Sequence, residues 1–129
     1  MKSILVALSP GELLDKISIL EIKSERMTDP HQLAHVRAEL SLLHQAWSRS
    51  VVEDESLQAL RADLREVNQK LWQIEDDIRE KERARKFDQD FIELARSVYL
   101  TNDRRAQIKK QLNQRLGSDI VEEKSYPKY

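Results

Sequence analysis

Seven apolar side chains, Leu57, Leu60, Leu64, Val67, Leu71, Ile74 and Ile78, recur at alternating spacings of three and four. No other pattern constrains the fold so strongly. A run of this kind is the a/d seam of about three heptads, a single stripe down a long helix that must be covered by another long helix. The cover comes from downstream, where Phe91, Leu94, Val98, Ile108 and Leu112 carry a helical stripe that ends at Gly117, a C-terminal cap. Between the two, the seam decays through Lys81-Glu82-Arg83-Ala84-Arg85-Lys86, and Asp88 is the next residue suited to an N-cap. The spacing therefore predicts helix 3 over about 55–86, helix 4 over about 88–116, and a hairpin tip at 86–89. At about thirty residues each, the two helices would be roughly 45 Å long.

The first half of the chain repeats one N-terminal grammar twice. Ser9-Pro10-Gly11-Glu12 sets an N-cap hydroxyl, a first-turn proline and a capping-box glutamate in order, and Asp29-Pro30-His31-Gln32 does the same with an aspartate and a glutamine. Helix 1 is expected over about 9–27, with Leu13, Ile17, Leu20 and Met27 as its stripe, widened by Leu14, Ile19 and Ile22. Helix 2 is expected over about 30–48, with Leu33, Val36, Leu40, Leu43 and Trp47 as its seam. So short a connection makes them an antiparallel hairpin. The fold class is thus all-α: a single domain spanning 1–129, built of two antiparallel helical hairpins, the second a long coiled coil.

Composition supports this and excludes alternatives. Two Gly and three Pro cannot supply the turns of a sandwich or a phosphate-cradling glycine loop, and zero Cys removes disulfides, thiolate metal sites and a cysteine nucleophile. With 22 basic and 23 acidic residues the chain is not a dedicated nucleic-acid binder. No run of about eighteen apolar residues is present to span a membrane. A cytoplasmic setting fits the absence of cysteine. Residues Ile4-Leu5-Val6-Ala7-Leu8 are too short for a signal-peptide core and read as a short N-terminal strand, whose only β-like counterpart is Ile120-Val121-Glu122 in an extended C-terminal tail.

Folding helix 3 onto helix 4 about a tip near residue 88 brings the acidic stretch Glu53–Glu66 level with the basic stretch Arg104–Arg115, so these charges are expected to pair with each other rather than with a polyanion. Other polar residues do not fall on the outer face. Heptad positions put Asn68, Trp72, Glu75 and Arg79 of helix 3 on one side of the hairpin with Ala95, Tyr99, Asn102, Ala106 and, inside the seam, Arg105 of helix 4. Such a mixture is suited to being covered. Helices 1 and 2 could dock there over an internal network of Glu75, Arg79, Tyr99, Asn102 and Arg105. The surface could instead stay open as a groove, with Arg79, Arg96 or Arg105 holding an anion and Trp72 or Tyr99 stacking on it. A third use is an oligomer interface, and Ile19, Ile22, Leu42 and Ile92, which widen their stripes beyond one seam, favour a homodimer.

Signals for catalysis are weak. Glu75, Asp76, Asp77, Glu93 and Asp103 do not form the complete acidic pattern of helical pyrophosphohydrolases, and His31, His35 and Glu39, though spaced for a metal, lie opposite the apolar seam. No metal and no cofactor is expected.

Four segments carry a resemblance: Ser9–Lys23, Val67–Arg79, Phe91–Arg105 and Gly117–Tyr126 are similar to those of a bacterial family of short helical proteins, a domain of unknown function. Its motif positions here include Asn68, Trp72, Glu75, Asp76, Arg79, Arg96, Tyr99, Asn102, Asp103 and Arg105. The resemblance implies a stand-alone cytoplasmic protein with relatives fused to, or encoded near, glycosyltransferases and surface-polysaccharide genes. The expected function is a non-catalytic protein-interaction module, with a homodimer or a partner protein such as a glycosyltransferase. The alternative is a small ligand-binding protein or enzyme that takes an anionic nucleotide or nucleotide-sugar in the polar groove.

Overall fold

The computed structural model describes residues 2–128. The described residues form four helices: α1 (Pro10–Arg26), α2 (Pro30–Ser50), α3 (Glu55–Arg83) and α4 (Gln89–Arg115). Each starts at a side-chain cap. Ser9 Oγ accepts from the Glu12 N–H at 3.2 Å, and Asp29, Asp54 and Asp88 accept from Gln32, Leu57 and Phe91 at 3.0, 2.9 and 3.0 Å. The glutamate at position 12 does not complete its capping box in the expected way, because its carboxylate is drawn to Lys109 at 2.7 Å.

α3 and α4 run antiparallel: Asp54 meets Arg115, Asp63 meets Arg104 at 4.0 Å, and Lys81 meets Asp88 at 3.0 Å. The first two pairs join the acidic and basic stretches. The tip lies a little earlier than expected. α3 stops at Arg83, and the turn closes with Arg85 in the left-handed region (φ 55°), its N–H bonded to the Glu82 carbonyl while the Lys86 N–H returns to Lys81. This is a Schellman cap with arginine where glycine is usual. α4 ends the same way, with Gly117 (φ 64°) and bonds from Gly117 and Ser118 to Gln114 and Asn113.

α1 packs against all three other helices, whereas the backbone of α2 approaches α1 alone. Helices 1 and 2 therefore do not dock together on the long pair: α1 docks, and α2 covers it from the far side. The core follows from this arrangement, with Leu14 and Ile17 of α1 among Trp47, Leu57, Leu64, Val67, Ile108 and Leu112. It also corrects two residues assigned to a dimer surface. Ile22 is buried and Ile19 half-buried, because a helix wrapped by three neighbours needs a broad stripe, while Leu42 and Ile92 are exposed.

No strand is present among the described residues. Residues 2–8 are irregular and exposed, and the Ile120–Glu122 segment lies along α4 instead of pairing with them, held by Glu122 on Lys109 at 2.9 Å. A strand exists only when a ladder partner does, and this one lacks it here.

Candidate functional site

Three small or polar residues of α1, Gly11, Asp15 and Ser18, lie at i, i+4 and i+7 and so share one helical face. On α4, Asn102, Arg105, Lys109 and Asn113 do the same at spacings of three and four. Asn102 and Arg105 fill the gap in the apolar stripe between Val98 and Ile108. The two faces meet. The Gly11 N–H donates to Asn113 Oδ1 at 2.7 Å, Lys109 Nζ to Glu12 at 2.7 Å, and Arg105 Nε to Asp15 Oδ1 at 2.9 Å, with Arg105 Nη2 on the other Asp15 oxygen. From α3, Asn68 donates its amide to Asp15 at 3.0 Å and to the Ser18 hydroxyl at 3.2 Å. Gly11 is required by this approach: a Cβ there would stand 2.6 Å from the Lys109 carbonyl oxygen.

Asp15 is the centre of the cluster and is only 1% exposed. A carboxylate so placed is tolerated because both oxygens are hydrogen-bonded and one partner is cationic. The hydrogen bond to Asp15 raises the Arg105 guanidinium above its ordinary range, with burial opposing. Burial pushes the Lys109 ammonium down, but the hydrogen bonds to Glu12 and Glu122 outweigh it and leave the group above its ordinary value. Both cations stay charged. Every buried side-chain nitrogen or oxygen among the described residues has a hydrogen-bond partner.

Outside this cluster, a cleft of about 980 Å³ opens along α4 under the C-terminal tail, lined by Tyr99, Asn102, Arg105, Lys109, Lys124 and Tyr126 among others. The tail is tied across it by Glu122 on Lys109 and by Lys124 on Asp103 at 3.4 Å.

The structure divides the residues singled out in the sequence into two groups. Asn68, Asn102 and Arg105 come together at Asp15, with Asn102 Oδ1 3.5 Å from Arg105 Nη1, and Tyr99 and Asp103 flank them on the cleft. Glu75 and Arg79 do not join the network. They pair with each other at 3.8 Å on the solvent side of α3. Arg96 bonds Glu93 at 3.2 Å and also Tyr99 on the exposed side of α4, and half-buried Trp72 carries the Arg26 guanidinium 6.0 Å from its ring. The earlier tip is the physical reason. Val67 and Lys70 share a surface with Leu100, Thr101 and Arg104, so Asn102 is level with Val67, and Glu75 lies roughly 12 Å further toward the tip.

Gly11, Asp15, Ser18, Lys109 and Asn113 were not foreseen. The available signals were an aspartate and a serine inside the apolar stripe of helix 1, and the polar run at helical spacing that interrupts the stripe of helix 4. Among the described residues no group of three or more His, Asp or Glu side chains is placed to hold a metal ion, and His31 and His35 are exposed.

A model of a family of unknown function, DUF6165, matches residues 4–128. No curated protein and no solved structure matches this chain.

Proposed function

The chain belongs to this family of unknown function, and on that premise we propose that it acts as a non-catalytic interaction module in the bacterial cytoplasm, serving glycan or surface-polysaccharide biosynthesis beside a glycosyltransferase. The observation that carries the reading is the state of the buried charges. Arg105 is committed to Asp15 and Lys109 to Glu12 and Glu122, so the groups best placed to act on a substrate are already spent on joining α1, α4 and the tail. Among the outward side chains are large apolar ones: Phe87, Ile92 and Leu100 on the long pair, and Ile4, Leu5, Val6 and Leu8 before α1. Exposed large apolar side chains suit protein contacts. Affinity capture of the full chain from its native host tests this. Recovery of a glycosyltransferase in stoichiometric amount supports the reading; absence of any partner, together with a rise in melting temperature on adding nucleotide-sugars, overturns it.

One observation favours a second reading, a binding site for an anionic nucleotide or nucleotide-sugar. The cleft is large enough for such a molecule and sets Tyr99 and Tyr126 beside Arg105, Lys109 and Asn102. The variant Asn102→Ala separates the two. If it folds with wild-type stability yet no longer shifts with the nucleotide-sugar, the cleft is a ligand site.

A further inference from the structure

The segment after α4 closes over space instead of packing. Residues 119–128 are all exposed, and among the described residues no backbone–backbone hydrogen bond engages them. Two ion pairs tie them to α4: Glu122 to Lys109 at 2.9 Å and Lys124 to Asp103 at 3.4 Å. Between this tail and α4 lie the cleft of about 980 Å³ and a second cavity of about 450 Å³ that reaches Gln114 and Val121. Glu122 and Lys124 border both. Protein interiors are normally filled by their own side chains, so a segment tied at two points across this much space has the build of a cover.

Lys109 is where the cover meets the core. Its side chain is only 8% exposed, and its ammonium holds Glu12 of α1 at 2.7 Å as well as Glu122. An ammonium has three donors and can serve both carboxylates, but a single carboxylate already balances its charge. Glu122 is the surplus one. Withdrawing it leaves Lys109 still paired with Glu12, so no buried charge is stranded and the cost is that of a part-exposed ion pair.

Charge favours an exchange at this point. On the floor of the cleft Arg105 is matched by Asp15 and Lys109 by Glu12. The tail adds Lys124, matched by Asp103, and then Lys128 and Glu122. The cleft is therefore balanced while Glu122 is seated and has a positive charge in surplus when it is not. An anionic oxygen entering in its place restores the balance and keeps the hydrogen bond to Lys109, with Tyr99 and Tyr126 on the same cleft to face a planar group. We propose that Glu122 stands in for a ligand's anionic group: a phosphate of a nucleotide or nucleotide-sugar displaces it from Lys109, and the tail stays over the ligand through Lys124 and Lys128. The proposal rests on the second reading of the cleft, as a ligand site, and adds how entry to it is controlled.

The test titrates UDP-glucose, and separately inorganic pyrophosphate, into the full chain and its Glu122→Gln variant, following the amide NMR resonances of Lys109 and of residues 120–126. Because Lys109 keeps Glu12, the variant should melt within about 3 °C of the wild type. Both probes should shift these resonances in both chains, with affinity about fivefold higher in Glu122→Gln, the worth of one part-exposed ion pair that no longer has to be broken. Lys124→Gln should weaken binding by a similar factor. Equal affinity in wild type and Glu122→Gln, or tighter binding by the wild type, overturns the displacement and leaves the ligand site standing. A Glu122→Gln chain that melts far lower makes Glu122 a structural tie and overturns the displacement as well. Affinity unchanged by Lys124→Gln overturns the closing of the tail over the ligand. Binding of neither probe to either chain overturns both the proposal and the reading on which it rests.

Discussion

The Arg105 guanidinium holds both carboxylate oxygens of Asp15, joining α4 to α1 inside the core. Removing either partner strands the other. Breaking a buried pair costs about 3–5 kcal/mol, and the part-exposed Arg105 side chain brings the expectation here to about 3 kcal/mol. Asp15→Ala and Arg105→Ala should each lower the urea midpoint strongly, while the double replacement Asp15→Leu with Arg105→Met should cost less than either. A double variant as unstable as the two single costs combined would show that the pair is not coupled.

Gly11 is the second point of intolerance. Alanine is ordinarily the better helix former by about 1 kcal/mol. Here the added methyl group would meet the backbone oxygen of Lys109 and then Asn113 Oδ1. We expect Gly11→Ala to destabilise the fold by about 1–3 kcal/mol, the usual range for overpacking. Thermal melting checks this, and a neutral or raised melting temperature would show that α1 and α4 can separate at no cost.

At the tip the expected sign is reversed. Arg85 occupies the left-handed region, which costs a side-chain-bearing residue roughly 1–2 kcal/mol, partly offset in a glycine variant by the larger entropy of its unfolded chain. Arg85→Gly should therefore stabilise the protein by about 0.5–1 kcal/mol. A calorimetric scan showing a lower melting temperature would mean that the arginine side chain contributes more than its conformation costs.

Acid should loosen the caps. The hydrogen bond from Lys81, with that from the Phe91 N–H, holds Asp88 below its ordinary value of 3.8, and the Leu57 N–H does the same for Asp54. For Glu53, burial pushes upward and is outweighed by hydrogen bonds from Arg61 and Trp47, so it too lies below its ordinary 4.5. A depressed folded value means the folded state binds fewer protons than the unfolded one. Stability from these groups is thus complete above the ordinary values and is lost as pH falls through the folded ones. Lys81, raised by Asp88, behaves oppositely: its contribution is complete below 10.5 and is lost as pH rises through the folded value. Urea midpoints should be flat with respect to these groups at neutral pH and should decline at both extremes. Replacing Asp88 with Asn should weaken both dependences, and unchanged slopes would show that Asp88 and Lys81 are not coupled.

Local chemistry was the most legible part of the fold. Ser9, Asp29 and Asp88 could be read as caps because capping depends on neighbours three residues away. The seam of α3 was legible because seven residues repeat one spacing. What α1 contributes to the site was not, since heptad positions on α3 and α4 describe only those two helices and are silent about a third crossing them. Asn68, Asn102 and Arg105 could be recognised as misplaced on a solvent face, but not as the shell of Asp15. Glu75 and Arg79 were assigned to the same network because heptad position gave their face and a tip near residue 88 gave their level. A Schellman turn carried by an arginine leaves no glycine to reveal it, and the earlier tip places those two residues nearer the tip than Asn102 and Arg105.

The sequence separation of the central pair has a meaning in time. Asp15 and Arg105 are 90 positions apart, and Gly11 and Asn113 are 102 apart. During synthesis α1 emerges long before α4 exists, its carboxylate on the face that α4 will cover. Desolvating that charge without its cation is costly. The buried seat of Asp15 is thus complete only once α4 is present, so the last helix made supplies the cation against which the first helix's carboxylate is buried.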